Sequence, residues 1–203
     1  MVSRISKESL QKSAKLILIA CVITIVSGLA FALGLLLTSI PSRNEEIWNP
    51  VIVSISLIIS FGVLPYILFK YYLYETISIQ IEVKKSIRYL VEITILFFIF
   101  NFYFGDWISL LIGLFIATFE EVLFRYFIYE YLKKNAGVLF AVVFNSLVFG
   151  LLFHFNSDLL LNMLLRFPLG ILLSLIKRYI GLPEAILSHW LYNTIVVFVK
   201  LPI

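Results

Sequence analysis

Apolar runs of close to twenty residues, separated by short polar connections, dominate this sequence and limit what it can fold into. A helix that crosses the hydrocarbon core of a bilayer needs about 20 predominantly apolar residues. The chain is 62% hydrophobic and 14% charged over 203 residues, whereas soluble domains carry about 45–50% apolar and about 25% charged residues. A soluble globule of this size cannot bury so much apolar surface. An ordinary soluble enzyme and a disordered chain are therefore excluded, and the single cysteine excludes a disulfide scaffold.

We expect an all-α fold, a polytopic transmembrane helical bundle of about seven spans, within a range of six to eight. The predicted spans are residues 15–39, 48–70, 87–104, 107–130, 137–156, 158–176 and 182–200. No internal repeat or linker divides the chain. Residues 1–203 are therefore predicted to form a single integral membrane domain, with the lipid bilayer as its environment.

Basic residues are concentrated in every second connection, and this pattern predicts the orientation of the chain. In membrane proteins Lys and Arg are enriched in cytoplasmic loops. The basic connections carry Arg4, Lys7, Lys12 and Lys15, then Lys70, Lys84, Lys85 and Arg88, then Lys133 and Lys134, and finally Lys177 and Arg178. We therefore expect the amino terminus inside and the carboxyl terminus outside. The net charge of +4 is interpreted as a topology signal, and no nucleic-acid partner is expected.

A few polar and ionisable side chains lie inside the apolar runs, where charges are rare and usually face the protein interior. The fourth span holds Glu120, Glu121 and Arg125, and the seventh holds His189 and Asn193. Glu121 and Arg125 are four residues apart, so they share a helix face and can pair. Glu120 points about 100° away from Glu121, which leaves one carboxylate available to polarise water. His189 and Asn193 are also four residues apart, and both point to one spot.

The fifth and sixth spans add two further polar positions. Ser146, Gly150 and His154 recur at intervals of four residues, and small residues at that spacing let a neighbouring helix approach closely. Arg166 lies well inside the sixth span, where we expect it to pair structurally or to line a cavity. The glutamates, Arg125 and the histidines also have structural interpretations. A Glu–Arg pair can hold helices together, and a histidine near a helix end can lie at the membrane interface.

The order of these residues resembles the CAAX-protease and bacteriocin-processing family of intramembrane proteases, also called the Abi family. The first motif of that family, Glu-Glu-x-x-x-Arg, is matched at residues 120–125, and the last, His-x-x-x-Asn, at residues 189–193. The likeness covers about residues 85–200, which are predicted to form a protease-like core within the membrane domain.

The middle motif of the family is usually Phe-x-x-x-His, and this chain departs from it. Gly150 stands four residues before His154, and Phe149 stands five residues before it. A π-bulge, which is common at functional sites, would absorb one extra residue. Alternatively, the aromatic packing role has moved to Phe153 or has been lost.

The resemblance implies an intramembrane endopeptidase that cleaves a peptide or the tail of a membrane-associated protein. The implied roles are water activation by Glu120 and His154, oxyanion stabilisation by His189 and Asn193, and structural support by Glu121 and Arg125. No cofactor is expected. A zinc ion on Glu120, His154 and His189 is the alternative, since one Glu and two His leave a fourth position open for water.

Other functions remain open on the sequence alone. The altered middle motif favours a non-catalytic membrane scaffold, or a bacteriocin self-immunity protein, that uses the same cavity for binding. A small transporter that relays protons through buried carboxylates is a further alternative, although no inverted repeat is visible. Small size and the resemblance predict a bacterial cytoplasmic membrane. In such a membrane, peptide maturation, self-immunity or regulated cleavage is expected rather than cleavage of prenylated tails.

Overall fold

The structure is a computed structural model, and it describes residues 2–39, 45–73, 75, 83–153 and 158–199. Seven helices make up this described part of the chain. The helices are α1 (Val2–Leu36), α2 (45–72), α3 (Val83–Phe104), α4 (Trp107–Ala136), α5 (Val138–Phe153), α6 (Leu159–Tyr179) and α7 (Leu182–Val199). Within these ranges α1, α2, α3, α4 and α6 contain segments long and apolar enough to cross a membrane, and α5 is a shorter apolar helix. The predicted all-α membrane bundle is confirmed, and the chain is an integral membrane protein.

Some helices extend beyond the predicted spans. The first begins at Val2 rather than near residue 15, and α4 continues to Ala136 rather than ending near residue 130. The predicted spans were limited to about the length that crosses the hydrocarbon. A helix satisfies its backbone hydrogen bonds internally, so it can continue through polar residues that lie outside the hydrocarbon.

Several helices contain wider π-helical turns, two of which lie beside the candidate site. The first is Val122–Ile128 in α4, and the second is Val148–Phe153 in α5. The π-bulge, one of the two explanations for the altered middle motif, is therefore present in the described backbone just before His154. His154 itself lies outside the described residues, so its predicted role stays a prediction.

The turns at the two ends of α4 depend on glycine. Gly105 and Gly137 have φ values of 69° and 88°, a region that residues with a Cβ rarely adopt. Asp106 then caps α4, because its carboxylate accepts a hydrogen bond of 3.0 Å from the backbone amide of Ser109. Hydrogen bonds from the hydroxyl and amide of Ser109 lower the pKa of Asp106. These turns determine where α4 begins and ends. They therefore also determine how deep Glu120 and Glu121 lie in the membrane.

The buried core lies around α4. Its larger cluster joins α1, α2, α4 and α5 and includes Phe61, Phe69, Leu123, Phe124, Ile128, Leu132 and Phe149. A second cluster packs Leu110 and Ala117 of α4 against the fully buried Trp190 of α7. The indole of Trp190 donates a 3.0 Å hydrogen bond to the carbonyl of Leu110. This bond holds α7 in register with α4, one residue away from His189.

Glycines bring α5 and α6 into close contact, as the stripe of small residues predicted. A Cβ atom on Gly150 would lie 2.8 Å from the backbone nitrogen of Phe167. A Cβ atom on Gly170 would lie 3.1 Å from the Cα of Ser146. Because these neighbours are backbone atoms, neither glycine can carry a side chain unless the two helices separate.

The substitution Gly150→Ala is expected to lower the free energy of unfolding by about 1–3 kcal/mol, because the added methyl group overpacks the α5–α6 contact. The matched control is Gly28→Ala in α1, where a Cβ meets nothing within 4 Å. Alanine is favoured over glycine in a helix by about 1 kcal/mol, so the control should be neutral or stabilised. Unfolding in SDS, followed by circular dichroism, measures both. If Gly150→Ala and Gly28→Ala were equally stable, the close contact between α5 and α6 would be contradicted.

Candidate active site

The buried polar residues of α4 and α7 meet in the interior of the bundle. Glu120 and Glu121 lie at the end of the regular part of α4, and Arg125 lies in the π-helical part that follows. Glu121 and Arg125 are 0% exposed, His189 of α7 is 3% exposed and Glu120 is 8% exposed. Four ionisable groups of two helices are thus withdrawn from the surface of the bundle.

The carboxylate of Glu121 connects an arginine and a histidine. Its Oε1 lies 3.0 Å from Nη1 of Arg125 and 2.8 Å from Nδ1 of His189. The predicted pairing of Glu121 with Arg125 is confirmed. An ionised carboxylate only accepts hydrogen bonds, so we assign the proton of this contact to Nδ1 of His189. The ring is thereby oriented with Nε2 pointing away from Glu121.

Arg125 is held by three helices. Its Nη2 donates a hydrogen bond of 3.4 Å to the carbonyl of Gly170 in α6. Its guanidinium carbon lies 4.4 Å from the ring centroid of Phe149 in α5, which places a cation over an aromatic face. A buried charge requires partners of this kind, because leaving it unpaired is strongly destabilising.

Glu120 faces the other nitrogen of the same histidine. Its Oε2 lies 3.6 Å from Nε2 of His189. This separation is longer than a direct hydrogen bond, and polar groups so spaced are often bridged by water. The family resemblance implies His154 as the partner of Glu120, whereas the contact in the described residues is with His189. The predicted contact with His154 falls outside the described residues.

A cavity of about 100 Å³ lies next to His189. Its lining consists of Phe149, Arg166, Leu169, His189, Tyr192, Asn193 and Val196. The volume corresponds to about three water molecules. His189 and Asn193 line the same cavity, so the convergence expected from their spacing is present. Both expectations for Arg166 also hold, since it lines the cavity and donates a hydrogen bond to the side-chain carbonyl of Asn162.

Phe149 has a role in the site that the sequence did not assign to it. Its ring lies under the guanidinium of Arg125 and meets the ring of His189 edge to face, with centroids 5.7 Å apart. Phe153 packs instead against Phe61 and Phe124. The five-residue spacing of Phe149 from His154, combined with a π-bulge, was the signal that could have identified it.

The described residues account for two of the three predicted zinc ligands. Tetrahedral zinc with ligand distances of about 2.0–2.1 Å places neighbouring ligand atoms about 3.4 Å apart. The 3.6 Å between Glu120 and His189 is close to this value. No group of three His, Cys, Asp or Glu side chains that could hold a metal occurs within the described ranges, and the third predicted ligand, His154, lies outside them.

Comparison with known families gives a match over the segment that carries these residues. Residues 104–195 match the family model described as type II CAAX prenyl endopeptidase Rce1-like. The match covers a little under half of the chain and includes both motifs, at 120–125 and 189–193. No curated protein and no solved structure gives a significant match. The resemblance to the CAAX-protease family is therefore confirmed for this segment.

Proposed function

Since residues 104–195 match the model of a family of CAAX prenyl endopeptidases, we propose that this protein is an intramembrane endopeptidase. Its substrate is a peptide or the tail of a membrane-associated protein. The observation that carries the proposal is the buried pair of Glu120 and His189, which face each other across 3.6 Å beside a small cavity that His189 lines. A water molecule bound by both side chains lies between a base and a hydrogen-bond donor.

In the proposed reaction, Glu120 is the general base and His154 its partner. Glu120 takes a proton from water as the hydroxide oxygen bonds to the scissile carbonyl carbon. The carbon–nitrogen bond then breaks, and the proton passes from Glu120 to the leaving nitrogen. Glu120 ends the cycle ionised, so no further reactant is needed.

His189 and Asn193 stabilise the oxyanion of the tetrahedral intermediate in this proposal. Donors aimed at the developing charge act strongly in a site that excludes water. Because Nδ1 of His189 is bound to Glu121, its Nε2 is the atom that can donate when the ring is protonated. Glu121 and Arg125 therefore act as positioning residues.

We place the amino terminus in the cytoplasm and the carboxyl terminus outside, in a bacterial cytoplasmic membrane. Contacts between the basic connections support this orientation. Lys134 pairs with Glu75 at 2.5 Å, and Lys177 pairs with Glu130. The basic ends of α4 and α6 and the end of α2 therefore lie together at one end of the bundle, as expected for the cytoplasmic side.

The function is tested by comparing the peptides of cells that express the wild-type chain with those of cells that express Glu120→Gln. Peptides whose termini depend on the wild-type chain identify substrates without prior assumptions. Synthetic versions of these peptides, with and without a farnesyl group on a cysteine, are then incubated with the purified protein in liposomes. Identical peptide populations in the two cell lines would contradict the peptidase proposal.

We propose a metal-free mechanism, and we expect the cleavage rate to stay unchanged after treatment with 1,10-phenanthroline and EDTA. The metal content of the purified protein is measured on the same sample. One zinc ion per chain, lost together with activity, would contradict this prediction. It would favour zinc on Glu120, His154 and His189, where the metal would supply an activated water.

A further inference from the structure

A second and larger cavity lies between α2, α4 and the start of α7. Its volume is about 430 Å³, and it shares no lining residue with the cavity beside His189. Its wall includes Ile58, Gly62, Val63 and Tyr66 of α2 and Phe119 and Tyr126 of α4. Its size falls in the range of about 300–1,000 Å³ that is typical of small-molecule sites.

This cavity is a groove that opens on the outer surface of the bundle. Ile58, Val63 and Tyr66 are all exposed there. They belong to the segment Trp48–Tyr72, which is apolar enough to cross a membrane. The groove therefore faces the hydrocarbon of the bilayer, where acyl chains are the available apolar molecules.

An exposed lysine, Lys70, marks one end of the groove. The ammonium of Lys70 donates a 3.1 Å hydrogen bond to the hydroxyl of Tyr66, whose ring lines the groove. Three lysines of α4 and α6 at this end of the bundle are paired: Lys133 and Lys177 with Glu130, and Lys134 with Glu75. Lys70 is exposed, and within the described ranges it has no carboxylate partner.

We propose that the groove binds an anionic phospholipid, with one acyl chain between α2 and α4 and the phosphate of the headgroup on Lys70. Tyrosines and lysines at the end of a membrane helix lie at headgroup level, which is where a lipid phosphate is found. Charge complementarity selects an anionic lipid over a zwitterionic one, since the latter carries its own cation. An apolar transmembrane segment of another protein would fill the groove but would bring no negative charge to Lys70.

The proposal is tested by native mass spectrometry of the full-length protein in detergent, with phosphatidylglycerol and phosphatidylcholine of identical acyl chains. The wild type is expected to bind phosphatidylglycerol about fivefold more tightly, the effect of one lysine at an anionic headgroup. Lys70→Gln should abolish this preference and leave phosphatidylcholine binding unchanged. Gly62→Leu should weaken the binding of both lipids. A Cβ at this position already lies 3.4 Å from the ring of Phe119, and the rest of the leucine side chain enters the groove.

Two matched controls separate this site from general effects. Lys12→Gln removes the same charge from an exposed position on α1, and Gly28→Leu adds the same side chain where a Cβ meets nothing within 4 Å. Both should bind lipid as the wild type does. If Gly62→Leu does not fold, Tyr66→Phe replaces it, and this variant should lose part of the phosphatidylglycerol preference.

Three results would overturn the proposal. The first is equal binding of the two lipids by the wild type. The second is an equal loss of preference in Lys12→Gln and Lys70→Gln. The third is unchanged lipid binding in Gly62→Leu. If that variant keeps lipid binding but loses peptide binding, the groove binds a protein segment instead of a lipid. Because lipid binding is measured without catalysis, these results do not depend on the proposed peptidase function.

Discussion

Glu120→Gln is expected to lower the rate of peptide cleavage by about 100- to 10,000-fold, the range that a general base contributes. The substitution keeps the size of the side chain and removes the basic carboxylate that faces His189 across 3.6 Å. Glu120 forms no part of the contact between Glu121 and Arg125, so the bundle should fold as the wild type does. The initial rate of cleavage in liposomes is the measured quantity.

The matched control for Glu120→Gln is Glu92→Gln on α3. Glu92 is partly exposed and pairs with Arg88 on the surface of the bundle, so its loss should leave the cleavage rate unchanged. A wild-type rate in Glu120→Gln would contradict the proposed base. A wild-type chain that cleaves nothing, while partner binding persists in Glu120→Gln, would favour the non-catalytic scaffold or self-immunity alternative.

Arg125→Leu is expected to lower the free energy of unfolding by about 3–5 kcal/mol, because removing one member of a buried ion pair leaves the other charge uncompensated. Here the remaining charge is the carboxylate of Glu121, which is 0% exposed and keeps only its contact with His189. The hydrogen bond from Arg125 to the carbonyl of Gly170 is lost as well. Equilibrium unfolding in SDS measures the change.

A double variant distinguishes the effect of the remaining charge from a simple loss of packing. Glu121→Gln/Arg125→Leu removes both charges and retains a carbonyl oxygen that can accept the hydrogen bond from Nδ1 of His189. We expect it to be more stable than Arg125→Leu alone. Arg88→Leu is the control, because Arg88 and Glu92 have the same four-residue spacing at an exposed position, where ion pairs contribute little. A double variant no more stable than Arg125→Leu would contradict this explanation.

The membrane bundle and its local pairs could be predicted because they depend on short-range patterns. Apolar runs of span length produce helices in a bilayer whatever they pack against. A spacing of four residues places Glu121 beside Arg125 and His189 beside Asn193 on one helix face. A π-helical turn before His154 was one of two explanations for the altered middle motif, and the structure has such a turn at Val148–Phe153.

Other features could not be predicted, because they join residues that are far apart in the chain. His189 binds Glu121 across 68 positions, and Arg125 reaches the carbonyl of Gly170 across 45. Phe149 sits between Arg125 and His189 because the glycines of α5 and α6 allow those helices to approach. The role of His154, the absence of a metal and the orientation of the chain stay predictions.

The sequence by itself determined that this protein lies in a membrane, where its apolar helices lie and which ionisable groups lie within them. Hydropathy and helical periodicity are properties of neighbouring residues, so they can be read along the chain. Only the tertiary structure decided that Glu121 holds His189, that Glu120 faces the opposite nitrogen of that ring, and that Lys70 stands at the end of an apolar groove. Each of these contacts depends on how whole helices pack together.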